Sequence, residues 1–150
     1  MIDSGIIDAK NICCGVKLNT KQEVFNLLSN LAFNSGVTQD KEKFNDALWE
    51  RENMISTYIG DGFSIPHAQS GCINKASIFI VKLDNYIPWT EANEKVDFIV
   101  SMAIPKDNKD NVYIKLLSRI ARLLMNEEIV AQIKQQNNQK IIKKIIENNL

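Results

Sequence analysis

The chain has 150 residues, of which 45% are hydrophobic and 24% are charged, and its formal net charge is zero. This composition is typical of a soluble globular protein, and the length predicts one domain over residues 1–150. A neutral chain gives no electrostatic support for binding nucleic acid or a membrane surface. No apolar run is long enough to span a bilayer and the amino terminus lacks signal-peptide features, so we expect no membrane insertion and a cytoplasmic protein.

The first part of the chain predicts an extended segment followed by two helices. Residues 1–19 look irregular or extended, with apolar pieces that allow an edge strand. Thr20 and Glu23 form a capping-box pattern, which predicts a helix over about 20–34. Apolar residues at helical spacing predict a second helix over about 40–51.

The second predicted helix carries an arginine on its apolar face. Phe44, Ala47, Leu48 and Arg51 recur at helical spacing, so Arg51 is the charged member of an apolar stripe. A buried or half-buried guanidinium needs an anionic partner. Arg51 therefore either faces a permanent or transient anion, or packs its aliphatic stem while its head reaches solvent.

The only histidine of the chain, His67, follows Gly60, Gly62 and a short alternating segment that is typical of a strand. Glycine lets backbone pass close to another group, and Pro66 stiffens the chain just before the imidazole. A histidine at the end of such a strand is well placed to react with an anion, because one ring nitrogen can be the nucleophile while the other is held by a hydrogen bond. The alternative is a surface or satisfied core histidine.

The second half of the chain alternates buried strands with helices. Residues 85–88 are interpreted as a turn or crossover and residues 106–111 as a polar loop. The predicted strands are 76–83 and 96–104, and the predicted helices are about 111–125, one from 126, and 138–147. Intermingled helices and buried strands favour an α/β fold, with a mixed β-sheet flanked by helices on both faces.

One block of residues is similar to a known family signature. It comprises Ala47-Leu48-Trp49-Glu50-Arg51-Glu52, then Ser56-Thr57, Ile59-Gly60, Gly62 and Ile65-Pro66-His67. This block resembles the enzyme IIA domain, fructose/mannitol type (type 2), of the phosphoenolpyruvate-dependent sugar phosphotransferase system. Segments 88–89, 96–105 and 113–124 follow the later pattern of the same family, so the resemblance covers almost the whole chain.

The resemblance implies a phosphocarrier, which is a phosphotransferase of bacterial sugar uptake. His67 is expected to accept a phosphoryl group, at Nε2 of its imidazole, from phosphohistidine on the carrier protein HPr. It then passes the group to a cysteine of the cognate enzyme IIB. The implied partners are therefore HPr and enzyme IIB, and the chemistry implies no metal or organic cofactor.

The resemblance also implies which groups surround the phosphoryl site. Arg51 is expected to stabilise the phosphoryl oxygens with its planar guanidinium. Backbone N–H groups and hydroxyls are expected to complete the oxygen shell. The candidates are Ser56, Thr57, Gly60, Gly62 and Ser64. We expect an exposed imidazole with the guanidinium beside it.

The chain departs from the family pattern at the start of the third predicted helix. By the register of that helix, Tyr113 occupies the place of a second active-site histidine found in many members. A tyrosine keeps a hydroxyl donor but cannot become cationic near neutral pH. Tyr113 is expected to hydrogen-bond the loaded phosphoryl group or to shield the site, unless it only packs at the helix start. Tyr58 and Ala68 also stand where members commonly have glycine.

Two other functions stay open. One is a regulatory binding protein of the nitrogen-type enzyme IIA kind, which docks on partners according to its phosphorylation state. The other is a degenerate domain that binds anions and is never phosphorylated. Transfer of phosphate onward to an enzyme IIB separates the phosphocarrier from the regulator, and phosphorylation of His67 excludes the degenerate domain.

Overall fold

A computed structural model describes residues 4–107 and 111–150. The strands are β1 (Ile7–Val16), β2 (Tyr58–Gly60), β3 (Phe63–Ser64), β4 (His67–Ser70), β5 (Ser77–Pro88) and β6 (Lys95–Pro105). The α-helices are α1 (Lys21–Asn34), α2 (Lys41–Met54), α3 (Val112–Leu124), α4 (Glu127–Gln135) and α5 (Gln139–Asn149). A 3₁₀ turn over Ser4–Ile6 precedes β1. None of the helices in this described part combines the length and the apolar character needed to cross a membrane.

The strands form one mixed sheet in the order β1-β5-β6-β3-β2, with β4 also paired to β6. β1 runs parallel to β5, and both β3 and β4 run parallel to β6. The pairs β5–β6 and β2–β3 are antiparallel. The predicted mixed sheet is confirmed, and the extended segment near the amino terminus forms its edge strand β1.

Helices cover both faces of the sheet because the central strands are apolar on both sides. On β5, Ile78 and Ile80 belong to a core that α3, α4 and α5 close. Phe79 and Val81, which point to the opposite face, belong to a second core that α1 and α2 close. The predicted α/β fold with helices on both faces is therefore confirmed.

The sheet ladder that carries His67 is interrupted just before the histidine. β3 and β4 keep one register along β6 on either side of Ile65 and Pro66. Pro66 has no N–H to donate, and the Ile65 N–H donates to the Thr57 carbonyl at 3.0 Å. His67 is consequently the first residue of β4, whereas the sequence predicted that it would end a strand.

One predicted turn is wrong. Residues 85–88 lie within β5, which continues past a register irregularity between Lys82 and Ile87. Ile87 is buried and pairs with Val96, so packing keeps this stretch extended. Sequence pattern missed this because the polar residues before Ile87 lie on the exposed part of a strand.

The predicted helices are confirmed, with small shifts at their ends. The capping box of Thr20 and Glu23 is formed at the start of α1. α2 continues to Met54, beyond its predicted end. Of the loop predicted over 106–111, residues 108–110 lie outside the described part of the chain. The expectation of a single domain over 1–150 stays a prediction.

Candidate active site

A polar cavity opens where α2 and the amino end of α3 approach β4. β4 pairs with β6 and packs against α2. The cavity is lined by Ala47, Glu50, Arg51, Met54, His67, Gln69 and Tyr113. The fold therefore brings together three residues that the sequence singled out from segments far apart in the chain, namely Arg51, His67 and Tyr113.

Two hydrogen bonds hold the imidazole of His67. Its Nδ1 lies 2.7 Å from the Ile65 carbonyl oxygen, and its Nε2 lies 2.7 Å from the Tyr113 hydroxyl. A carbonyl oxygen can only accept, so Nδ1 carries the proton. In the neutral ring, Nε2 then keeps its lone pair and accepts from the Tyr113 O–H. Nε2, beside the hydroxyl of a cavity-lining residue, is thus the ring nitrogen that carries the lone pair.

The surroundings keep this imidazole neutral. Burial lowers the pKa of His67 below its ordinary value of 6.5, and the positive charge of Arg51 lowers it further. The hydrogen bond to Ile65 and the negative charge of Glu52 act in the opposite direction. Because the lowering effects are larger, the ring is uncharged at neutral pH and the lone pair of Nε2 is available.

The expectation of an exposed imidazole is wrong, because His67 is only 4% exposed. Tyr113 supplies part of the cover. Its ring meets the imidazole edge to face at 5.3 Å between centroids, and its hydroxyl lies on Nε2. An incoming group can therefore reach Nε2 only when Tyr113 moves aside.

Arg51 lies in the last turn of α2 and lines the same cavity as His67. Its Nη1 donates to the Ile55 carbonyl at 2.6 Å, which uses one of the five N–H donors of a guanidinium. Its charge is close enough to affect the pKa of His67. Arg51 is thus oriented by the chain that follows its own helix, and it lines the cavity that also contains His67.

The three hydroxyl residues proposed for the phosphoryl shell have other surroundings, and none of them lines the cavity. The Ser56 hydroxyl accepts from the Tyr58 N–H at 3.2 Å. The Thr57 hydroxyl donates to the Glu52 carboxylate at 2.6 Å. The Ser64 side chain is fully buried, and its Oγ has no hydrogen-bond partner within the described residues.

The two glycines proposed for that shell shape a turn instead. Gly60 and Gly62 have φ angles of +100° and +85°, which permit the tight connection between β2 and β3. A side chain at position 62 would place its Cβ 2.9 Å from the Asp97 carboxylate and would be strained by the positive φ, which together favour glycine there. Gly62 lies five residues before His67, which corresponds to about 16 Å along extended chain. Neither glycine lines the cavity.

Glu52 is a buried residue at the site that the sequence pattern did not single out. Its carboxylate accepts from the Thr57 N–H at 2.9 Å and the Thr57 hydroxyl at 2.6 Å, and it meets the Lys21 ammonium at 3.4 Å. The buried residues of α2 are Phe44, Leu48 and Glu52, at i, i+4 spacing. That spacing is the sequence signal that would have identified Glu52. The buried charged residue on the apolar face of α2 is therefore Glu52, whereas the sequence pointed to Arg51.

The sequence model of one protein family, described as "Phosphoenolpyruvate-dependent sugar phosphotransferase system, EIIA 2", matches residues 5–149. The chain belongs to this family. The resemblance drawn from the block between Ala47 and His67 is thereby confirmed.

This EIIA domain matches nearly the whole length of one curated relative and only a small part of another. The "PTS system fructose-like EIIA component" of Escherichia coli (strain K12) is 23% identical over 137 residues, which is 91% of this chain and 92% of the relative. The "PTS system 2-O-alpha-mannosyl-D-glycerate-specific EIIABC component" of the same strain is 24% identical over 124 residues, 81% of this chain. The match spans only 19% of that second relative.

Two solved structures share the fold of the EIIA domain. "Nitrogen Regulatory Protein IIA-Ntr from Neisseria meningitidis" has a TM-score of 0.85 at 18% identity, covering 95% of this chain and 97% of its own. A complex of enzyme IIAMTL with phosphorylated enzyme IIBMTL from Escherichia coli has a TM-score of 0.79 at 15% identity, covering 94% and 96%. Both likenesses bear on the fold alone.

The EIIA domain places four further residues at the cavity that the sequence did not assign to the site: Ala47, Glu50, Met54 and Gln69. Gln69 lies two residues after His67 on β4, so both side chains point to the same face of the strand, and period-two spacing would have found it. Within residues 4–107 and 111–150, no group of three or more His, Cys, Asp or Glu side chains is placed to hold a metal ion.

We expect the stability of this EIIA domain to fall as the pH drops below the ordinary histidine pKa. The folded imidazole binds a proton more weakly than the unfolded one, so unfolding takes up a proton between the lowered folded pKa and 6.5. The stabilisation is complete above 6.5 and is lost as the pH falls toward the folded pKa. NMR titration of His67 gives that pKa, and denaturant unfolding across the same pH range gives the free energy of unfolding.

The matched control for the pH experiment is His67→Gln, which removes the only histidine of the chain. The difference in free energy of unfolding between the two proteins should change over this pH window. A His67 titration midpoint at or above 6.5 would contradict the account of the site.

Proposed function

We propose that this EIIA domain accepts a phosphoryl group on Nε2 of His67 from phospho-HPr and passes it to a cysteine of a cognate enzyme IIB. The observation that carries the proposal is the protonated Nδ1 held by the Ile65 carbonyl, which leaves a neutral ring with its lone pair on Nε2. We also propose that it acts as a single domain in the cytoplasm, as one step of a sugar uptake system.

The transfer needs no proton to enter or leave the imidazole. The Nε2 lone pair of His67 attacks phosphorus, and the P–N bond to the donor histidine breaks with its electron pair staying on the donor ring. His67 keeps its Nδ1 proton, so the phosphorylated ring gains a positive charge that offsets part of the phosphoryl charge. In the second step a cysteine thiolate of enzyme IIB attacks phosphorus, and the electron pair of the N–P bond returns to Nε2.

The charge around the cavity suits a phosphoryl group. Arg51 lines the cavity and has donors beyond the one used by Ile55. Tyr113 is the second residue of α3, and its hydroxyl lies 2.7 Å from Nε2. We propose that the Arg51 guanidinium and the Tyr113 hydroxyl supply the hydrogen bonds that the sequence analysis expected from the glycines and hydroxyls.

Tyr113 has a defined part in this mechanism. A phosphoryl group on Nε2 occupies the space that the Tyr113 hydroxyl holds in the unloaded domain. The tyrosine must swing away, and from a nearby position its O–H can donate to a phosphoryl oxygen. The same hydroxyl thus covers the nucleophile before transfer and stabilises the product after it.

Exposed apolar residues around the cavity support docking of a partner protein. Met54 lines the cavity and Ile55 follows it, and they are 69% and 74% exposed. Ile114, next to Tyr113, is 62% exposed. Apolar groups left in water beside a reactive centre favour transient contact with another protein surface. HPr and enzyme IIB must reach the same nitrogen, so we propose that they use this rim in turn.

Incubation of the protein with phosphoenolpyruvate, enzyme I and HPr tests the first transfer. Mass spectrometry should find one phosphoryl group on the protein and none on His67→Ala, because the chain has no other histidine. Absence of added phosphate on the intact protein, or equal phosphate on the variant, would overturn the proposal. Addition of a candidate enzyme IIB then tests the second transfer. Phosphate that stays on His67 would favour a regulatory protein of the nitrogen type.

We predict that Tyr113→Phe slows phosphoryl transfer about tenfold and shortens the lifetime of the phosphohistidine, because a hydrogen bond to a charged group is lost. The measurement is transfer of labelled phosphate from HPr, together with hydrolysis of the isolated phosphoprotein. Tyr86→Phe is the matched control, since Tyr86 is 58% exposed on β5 and does not line the cavity. If Tyr113→Phe behaves like Tyr86→Phe in both assays, Tyr113 only packs at the helix start.

A further inference from the structure

We propose that Glu52 is a positioning residue that fixes the tautomer and orientation of the His67 imidazole by holding Thr57 and, through it, Ile65. Glu52 does not line the cavity, and it touches neither Nδ1 nor Nε2. The inference deepens the proposed phosphocarrier function, but its main readout, the tautomer of the ring, does not depend on phosphoryl transfer.

The first contact is a two-point grip of Glu52 on Thr57. One carboxylate oxygen accepts the Thr57 N–H at 2.9 Å and the other accepts the Thr57 hydroxyl at 2.6 Å. Glu52 is 5% exposed and Thr57 is equally buried, so neither bond competes with much water. Lys21 meets the carboxylate at 3.4 Å and compensates its charge. A charge-assisted bond at both ends of one residue leaves Thr57 little freedom.

The second contact carries that constraint to the histidine. The Thr57 carbonyl accepts the Ile65 N–H at 3.0 Å, and the Ile65 carbonyl accepts the His67 Nδ1–H at 2.7 Å. Pro66, between Ile65 and His67, fixes its own φ and cannot offer a competing N–H. The Ile65 carbonyl is therefore aimed by Thr57, and Thr57 is aimed by Glu52. These hydrogen bonds form a series, in which each bond orients the group that makes the next bond.

Arg51 holds the other end of the segment 55–57, which leads from α2 to β2. Arg51 binds the Ile55 carbonyl, and the next residue, Glu52, binds the Thr57 N–H. Two neighbouring side chains of α2 thus clamp the three residues that lead from the helix to β2. Arg51 also lines the cavity. The clamp therefore links Arg51, the proposed partner of the phosphoryl oxygens, to Glu52, the proposed positioning residue of the imidazole.

The charge of Glu52 adds a second effect. Its negative charge acts against the burial and the Arg51 charge that lower the pKa of His67. A ring phosphorylated on Nε2 with its Nδ1 proton in place is positively charged. Glu52 is a buried anion near that ring, so it offsets charge that develops during transfer.

The experiment compares Glu52→Gln with Glu52→Leu by nitrogen NMR of histidine-labelled protein, in which the single imidazole gives one pair of ring signals. Glutamine can still accept the Thr57 N–H with its amide oxygen and donate its amide N–H to the Thr57 hydroxyl. We expect Glu52→Gln to keep the Nδ1–H tautomer with a lower His67 pKa. Leucine has similar size and makes neither bond, so we expect Glu52→Leu to populate both tautomers and to lose about tenfold or more in transfer rate.

Val24→Ala is the control for general destabilisation, because Val24 is fully buried in α1 and its side chain has no polar atom that could take part in this chain of bonds. It should lower the melting temperature and leave the tautomer unchanged. Wild-type tautomer signals in folded Glu52→Leu would overturn the proposal. If Glu52→Leu does not fold, Thr57→Val decides the question, and an unchanged tautomer with an unchanged transfer rate would overturn it. If the unmodified protein takes up no phosphate from HPr, that result counts against the proposed function alone.

Discussion

The hydrogen bond from Nδ1 of His67 to the Ile65 carbonyl is the interaction on which the site depends. At 2.7 Å to an atom that can only accept, it decides which ring nitrogen carries the proton and leaves the lone pair on Nε2. The sheet provides this bond because the ladder along β6 breaks at Pro66, which turns the Ile65 carbonyl toward the imidazole two residues later. A backbone irregularity thus fixes the tautomer of the imidazole, without a dedicated side-chain partner on Nδ1.

Two helices complete the arrangement from opposite faces of the sheet. α2 contributes Arg51 to the cavity and Glu52 to the buried network behind it, so consecutive residues bring opposite charges near one ring. α3 contributes the hydroxyl of Tyr113, which covers Nε2. The result is a buried, neutral imidazole with the positive charge of Arg51 nearby, and the Tyr113 side chain supplies part of its cover.

Much of the fold followed from local patterns, and most of what was missed is tertiary. The capping box predicted α1, and the apolar strands predicted a mixed sheet covered by helices on both faces. Both features depend on residues that are neighbours in sequence. The pairing of His67 with Tyr113 spans 46 residues, so the sequence could offer shielding of the site by Tyr113 as one alternative but could not choose it over packing at the helix start. Glu52 was overlooked because its role depends on Thr57, whose hydroxyl was assigned to phosphate. The glycines were misplaced because motif spacing says nothing about which end of a ladder faces the cavity.

The central claim is that the nucleophile is Nε2 of a neutral imidazole that keeps its proton on Nδ1. The most direct measurement is phosphorus–nitrogen correlation NMR on histidine-labelled protein after loading with phosphate. The account predicts that phosphorus is coupled to Nε2 and that Nδ1 still carries a proton. Phosphorus attached to Nδ1 would contradict it, since that nitrogen must then have left the Ile65 carbonyl.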